Sequence, residues 1–198
     1  MKLTIIRSLL LFAALQGMLG AEPVKMARHG VAVSVDAGVA ALGGIGTHAN
    51  WYHKNLAFGA GFYRFASTAS FGGFDEKFSL FVDYIYAAQA SWYFWPGEKK
   101  GFYLSMIYHY KKQTVTENSS GSSVALYSQL LGPELGYEWN FFEGLYIAPR
   151  VGALYYVQSP QGSSHEPVTV GASQYDNPKH RNFDLYCTLS VGWNFDFR

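Results

Sequence analysis

The strongest constraint on the fold is the strict alternation of apolar and polar side chains over residues 185–197. A period of two is typical of an extended strand whose two faces meet different surroundings. Strands of soluble sheets have about 5–6 residues, whereas a membrane-crossing strand needs roughly 9–11. Because the alternation continues beyond the longer limit, it predicts a membrane-spanning strand. Its lipid-facing side would consist of Leu185, Cys187, Leu189, Val191, Trp193, Phe195 and Phe197.

The same alternation recurs in seven further segments. These are residues 30–41, 45–53, 56–66, 78–94, 102–111, 125–141 and 145–157. In the first of them, Val35 and Val39 fall on the apolar face. Pro133 and Pro149 interrupt two others, and because each proline removes one ladder hydrogen bond, we expect a β-bulge at each. Eight is an even number, as closure of an antiparallel bacterial barrel requires. The sequence therefore predicts an all-β fold, an eight-stranded antiparallel up-and-down transmembrane β-barrel.

The connections between these segments support the same architecture. Short turns alternate with longer polar stretches, which is the asymmetry between periplasmic turns and external loops in such barrels. The short turns are residues 53–55, 96–100 and 142–144, and the long stretches are residues 67–77, 112–123 and 158–182. The first external connection, residues 43–46, is short and does not follow this trend.

The N-terminus has the three parts of an export signal. Lys2 and Arg7 are basic, residues 8–15 are apolar, and small residues precede a polar start after Ala21. The apolar part is too short to span a bilayer. We therefore expect a signal peptide at residues 1–21, a barrel domain at residues 22–198, and a location in the outer membrane.

Composition excludes several classes of function. The net charge is +1 and basic runs are lacking, which argues against nucleic-acid binding. The single Cys187 excludes a disulfide framework and a cysteine-rich zinc site. Gly43, Gly44 and Gly46 have no following helix to form a phosphate cradle. No cofactor and no metal are expected.

Aromatic residues cluster near the predicted periplasmic strand ends, where they would form an interfacial girdle. They are Trp92, Phe94, Trp95, Phe102, Tyr137, Trp139, Phe141, Tyr146, Trp193, Phe195 and Phe197. With this pattern over residues 30–198, the chain resembles the small eight-stranded outer-membrane barrels of the OmpX, OmpW and OmpA transmembrane-domain type. The resemblance implies that Trp193, Phe195 and Phe197 belong to a C-terminal signal for the barrel assembly machinery. In that family the last residue is usually aromatic, whereas here Arg198 follows.

Charged residues on the predicted inner faces should pair, because an unpaired buried charge is costly. They are Asp36, Asp83, His109, Lys111, Glu134, Glu138 and Arg150. Strand counting places Arg150 near Glu134 and Glu138. A salt-bridged plug is the expected result, since an eight-stranded barrel is only just filled by its own side chains. A proton or ion path through these groups is the alternative.

These features predict a monomeric barrel with a structural or surface-interaction role through its external loops. Its expected partners are outer-membrane lipid, lipopolysaccharide and an extracellular ligand that the sequence does not identify. A narrow channel for small or apolar solutes is one alternative. A lipid-modifying enzyme is another, since the long loop contains Ser163, Ser164, His165, Glu166, Tyr175 and Asp176. His165, Glu166, Asp176 and His180 show no metal-ligand spacing, and no catalytic residue is predicted.

Overall fold

The computed structural model describes residues 29–67, 77–94, 100–141, 144–158, 167–175 and 183–197. The expected signal peptide and Trp95 lie outside the described residues. The described residues form ten strands and one short helix. The strands are β1 (His29–Asp36), β2 (Ile45–His53), β3 (Leu56–Ser67), β4 (Phe78–Tyr93), β5 (Lys100–Glu117), β6 (Ser123–Phe141), β7 (Leu145–Gln158), β8 (Val168–Val170), β9 (Ser173–Tyr175) and β10 (Phe183–Asp196), and the helix is α1 (Ala37–Ala41).

Eight of these strands form a closed barrel in the order β1-β10-β7-β6-β5-β4-β3-β2, and every neighbouring pair is antiparallel. This confirms the predicted fold class. The closing seam pairs the first strand with the last, from Gly30 opposite Asp196 to Asp36 opposite Ser190. β8 and β9 form a separate hairpin. We call the end at which β1 begins and β10 ends the short-turn end, and the opposite end the loop end.

Apolar side chains cover the outside of the barrel and polar ones line much of the inside. On β7, for example, Val151 is 50% exposed on the outer face, whereas its neighbour Arg150 is 6% exposed. On β10, Leu185 reaches 71% exposure. Such exposure of large apolar groups over a whole surface is expected only where lipid, not water, covers it. Among the described residues, no helix is long and apolar enough to cross a bilayer.

Lumenal tyrosines lie over glycines of the neighbouring strand. Tyr103 is opposite Gly136 and Tyr186 is opposite Gly152, and a Cβ at either glycine would overlap the tyrosine ring. A tyrosine ring placed over a glycine, which has no side chain, fills the narrow interior without displacing the backbone. The same relation joins Tyr146 to Gly192 and Tyr52 to Gly30. Tyr146 therefore points into the lumen and is not part of the outer girdle.

Three predictions about strand limits and bulges are wrong. The segment 30–41 is not one strand, because β1 ends at Asp36. This residue is the N-cap of α1, and its carboxylate accepts a hydrogen bond from Val39 N (3.0 Å). Residues 112–123 are not a loop, because β5 runs to Glu117 and β6 starts at Ser123. The register of the neighbouring ladders is constant through Pro133 and Pro149, so neither proline has a bulge.

A bulge in β4 changes the face of Asp83. Val82 pairs with Gln113 and Tyr84 pairs with Lys112, so Asp83 is an extra residue in β4. Its carboxylate accepts a hydrogen bond from Thr114 (2.7 Å) and lies 3.9 Å from Lys112 Nζ. Thr114 and Lys112 belong to the outer face of β5, so Asp83 is not a lumenal residue. A bulge shifts the face of every residue beyond it, which explains this error.

We expect Gly136→Ala to destabilise the barrel by about 1–3 kcal/mol, because the new methyl group must displace the Tyr103 ring in a filled interior. Chemical unfolding in detergent micelles would measure this change. The double variant Gly136→Ala/Tyr103→Val is the control, since it removes the ring that the methyl group meets. If Gly136→Ala lowered the free energy of unfolding equally in the wild-type and Tyr103→Val backgrounds, the packing argument would be contradicted.

Candidate functional site

The centre of the lumen is occupied by an ion-pair network around Arg150. Its Nη2 atom lies 3.0 Å from Asp36 Oδ2 and also donates to Tyr63 OH (3.2 Å). Its Nη1 atom lies 3.6 Å from Glu134 Oε2. The guanidinium group therefore faces two carboxylates and one hydroxyl group at once. We call these residues, with Thr188 and Tyr186 described next, the Arg150 network.

Four adjacent strands and one opposite strand supply this network. Asp36, Arg150 and Glu134 lie on β1, β7 and β6, and β10 lies between β1 and β7. From β10, Thr188 donates to Asp36, and Tyr186 OH donates to Glu134 Oε2 (2.7 Å). Tyr63 reaches the same centre from β3. The barrel wall thus holds each carboxylate from two directions, which fixes its orientation toward Arg150.

Glu138 does not join the Arg150 network, although strand counting places it near. Arg150 is opposite Gly136, and Glu138 accepts hydrogen bonds from Asn140 Nδ2 (2.9 Å), Asn194 Nδ2 (3.1 Å) and Tyr93 OH (2.9 Å). These amides and this hydroxyl form a second polar layer closer to the short-turn end. The expected contact between Glu138 and Arg150 is therefore replaced by neutral donors.

Lys111 and His109 lie in the lumen on the loop side of Arg150. Lys111 Nζ is 3.4 Å from Asp184 Oδ2, and Tyr156 OH donates to the same carboxylate (2.9 Å). The His109 ring lies 6.1 Å from the Tyr63 ring and 6.5 Å from the Tyr186 ring, between centroids. The predicted set of inward charges did not include Asp184, although the alternation places it on the same face as Tyr186 and Thr188.

The lumen therefore contains three polar layers in series, and in each layer carboxylate groups are held by protein donors. Glu134 is 1% exposed and Arg150 is 6% exposed. The buried charges of Arg150, Asp36 and Glu134 are thus paired with one another, as the cost of an unpaired buried charge requires. Among the described residues, no group of three or more His, Cys, Asp or Glu side chains could hold a metal ion. The loop residues 163–166, 176 and 180 lie outside the described residues.

An apolar cluster closes the lumen at the loop end. It consists of Phe78, Val115, Leu126, Val170 and Tyr175, and we call it the loop-end cap. The hairpin of β8 and β9 contributes Val170 and Tyr175, and the Tyr175 ring meets the Phe78 ring edge-on at 5.3 Å. Because of the bulge at Asp83, Phe78 and Val82 point inward, opposite to the face that simple alternation predicts.

Glu117 anchors the same hairpin. Ser173 on β9 and Ser120 in the β5–β6 turn both donate to its carboxylate, and Ala172 N donates to Oε2 (3.4 Å). Gly171, with φ +62°, lies so close that a Cβ would overlap the carboxylate. β5 has 18 residues, more than the roughly 9–11 that cross a bilayer, so Glu117 lies beyond the membrane. The Ser120 and Ser173 hydrogen bonds lower the pKa of this carboxyl.

The outer surface carries aromatic side chains in two bands. At the short-turn end the exposed rings include Trp51, Trp92, Phe94, Phe102, Trp193, Phe195 and Phe197. Nearer the loop end, Tyr84 neighbours Tyr86 (5.0 Å) and Tyr110 (6.3 Å). Trp193 and Phe195 of the predicted assembly signal thus lie on the outer face of β10, and Phe197 follows directly after it.

A closed antiparallel barrel with an apolar exterior, aromatic bands and a polar interior is a transmembrane β-barrel. Comparison with protein-family models gives no match, and comparison with curated proteins gives none. Among solved structures, the chain is similar to the crystal structure of Neisserial surface protein A (NspA). The two are 16% identical, the match covers 85% of this chain and 95% of that chain, and the TM-score is 0.48.

We expect Arg150→Met to lower the free energy of unfolding by about 3–5 kcal/mol, because it leaves two buried carboxylates without their cation. The measurement is a denaturant titration of the protein in detergent micelles.

The matched control is the triple variant Arg150→Met/Glu134→Gln/Asp36→Asn, which removes all three charges together. It should lose less stability than the single variant. An unchanged unfolding midpoint for Arg150→Met would show that the ion pairs do not stabilise the barrel.

Proposed function

We propose that the chain is an integral protein of the outer membrane of a double-membraned bacterium, with a structural or surface-interaction role that is neither enzymatic nor that of an open pore. The observation that carries this proposal is the filled lumen. The Arg150 network occupies its centre, and the loop-end cap closes it toward the long connections. The short-turn end would face the periplasm and the loop end the exterior, as in other such barrels.

Interaction with the exterior would then involve the β5–β6 turn and the β8–β9 hairpin. Both are held to the barrel through Glu117, and the hairpin is also held through the loop-end cap. Residues that face outward from the hairpin include Thr169 and Gln174, which are exposed. A surface that is fixed in this way suits recognition, because little conformational entropy is lost when a partner binds.

The proposal also includes the route to the membrane. The barrel assembly machinery would read Trp193, Phe195 and Phe197, and outer-membrane lipid and lipopolysaccharide would surround the folded monomer. Support comes from the position of Trp193 and Phe195 on the outer face of the closing strand, with Phe197 directly after it, where a machine that guides the last strand toward the first could reach them.

Conductance across a planar bilayer tests the proposal against the narrow channel. We expect no discrete current steps from folded protein, because the polar layers and the cap would block a continuous aqueous path. Insertion would be verified by protease protection, and a porin would serve as the positive control. Reproducible steps from the wild-type protein, abolished by denaturation, would establish a channel and overturn the closed-lumen proposal.

Acid should release the hairpin from Glu117. Its hydrogen bonds lower the pKa of Glu117 from the ordinary 4.5, so the docked hairpin favours the ionised carboxylate. The resulting stabilisation is present above about pH 4.5 and is lost as the pH falls through the lowered value. We expect cleavage within residues 159–182 by an acid-active protease to accelerate below that pH.

Glu117→Gln is the matched control for this experiment. It should permit faster cleavage at neutral pH than the wild-type protein and remove the acceleration in acid. Identical cleavage profiles for the two proteins would show that Glu117 does not hold the hairpin.

A further inference from the structure

Two histidines meet on the outer surface at the short-turn end. His29 on β1 is directly opposite His53 on β2. Their Nδ1 atoms lie 2.6 Å apart, and the ring centroids are 4.5 Å apart. Both rings are outside the lumen, and Trp51 stacks on His53 with the centroids 6.0 Å apart. None of the polar layers described above includes this pair.

Two ring nitrogens that face each other at this distance need one hydrogen or one metal ion between them. If both carry a lone pair they repel, and if both carry a proton the hydrogens collide, so one shared proton is the minimum arrangement. A metal ion can replace that proton. Zinc binds imidazole nitrogen at about 2.0–2.1 Å, so a tetrahedral angle separates two ligand nitrogens by about 3.3 Å. Small rotations of the two exposed side chains open the present distance to that value.

We propose that His29 and His53 form a binding site for a divalent transition-metal ion that prefers imidazole, such as Zn²⁺. Imidazole suits zinc, copper and nickel, whereas Mg²⁺ and Ca²⁺ prefer oxygen ligands. Water completes the coordination, because the site lies at the surface. The site uses two residues on paired strands that are distant in the sequence, which is why ligand spacing did not reveal it.

The bound ion would strengthen the barrel at its closing seam. The backbone carbonyl of His29 accepts a hydrogen bond from Phe197 N (3.0 Å), beyond the last residue of β10. His29 thus connects the β1–β2 hairpin to the end of the chain. A ligand that binds only the folded state shifts the unfolding equilibrium toward that state. We therefore expect Zn²⁺ to raise the unfolding temperature of the protein.

The test is calorimetric titration of Zn²⁺ into the untagged full chain, folded into detergent micelles. The chain has six histidines, of which His48 is buried in the lumen and His109 also lies there. We expect one site in the wild-type protein. His29→Gln and His53→Gln should each weaken its affinity by roughly tenfold or more and remove the rise in unfolding temperature. His165→Gln/His180→Gln is the matched control and should keep both.

Electron paramagnetic resonance with Cu²⁺ gives a second readout, since coupling to two imidazole nitrogens would identify the ligands in the wild-type protein without any variant. The absence of Zn²⁺ binding would show that the pair shares only a proton and would overturn the proposal. So would binding that disappears only in the control variant, because the loop histidines would then be the ligands.

Discussion

Closure of β1 onto β10 is the constraint on which the rest of the structure depends. Inside a bilayer no water can satisfy backbone N–H and C=O groups, so an open sheet edge is prohibitively costly. The seam from Gly30 opposite Asp196 to Asp36 opposite Ser190 removes both edges. β1 contains only 8 residues, and at Asp36 the chain leaves the sheet for α1. The same aspartate pairs with Arg150, so the end of the seam and the Arg150 network share one residue.

Closure with eight strands leaves an interior that side chains must fill. The sequence meets this requirement with tyrosines that lie over glycines and with polar layers whose carboxylates accept hydrogen bonds from neighbouring side chains. The tyrosines have two roles. The ring of Tyr186, for example, packs on Gly152, while its OH group donates a hydrogen bond to Glu134. Packing and charge neutralisation are therefore coupled, and the same residues that exclude water also hold the carboxylates toward Arg150.

Much of this could be predicted from the sequence because lipid and lumen impose a period of two. Alternation alone placed Arg150 and Glu134 inside and Val151 outside. Two kinds of feature could not be predicted. The first is the β-bulge at Asp83. The residues of β4 alternate in the sequence without showing where the extra residue lies, so Asp83 was assigned to the wrong face. The second is the contact between Arg150 on β7 and Asp36 on β1. These strands come close only when the barrel closes, with β10 between them, so counting residues across a single turn cannot predict the contact.

The two ends of the barrel differ in chemistry, and this difference bears on function. Toward the short-turn end the lumen is polar, with Glu138 among amides, whereas toward the loop end Phe78 and Val170 form an apolar closure. An apolar closure resists hydration, so a change at the loop surface need not reach the Arg150 network. Substitutions on the exposed side of the anchored hairpin should therefore leave the Arg150 network intact. The proposed surface-interaction role would use this independence, because the part that meets a partner could change without loss of the part that folds.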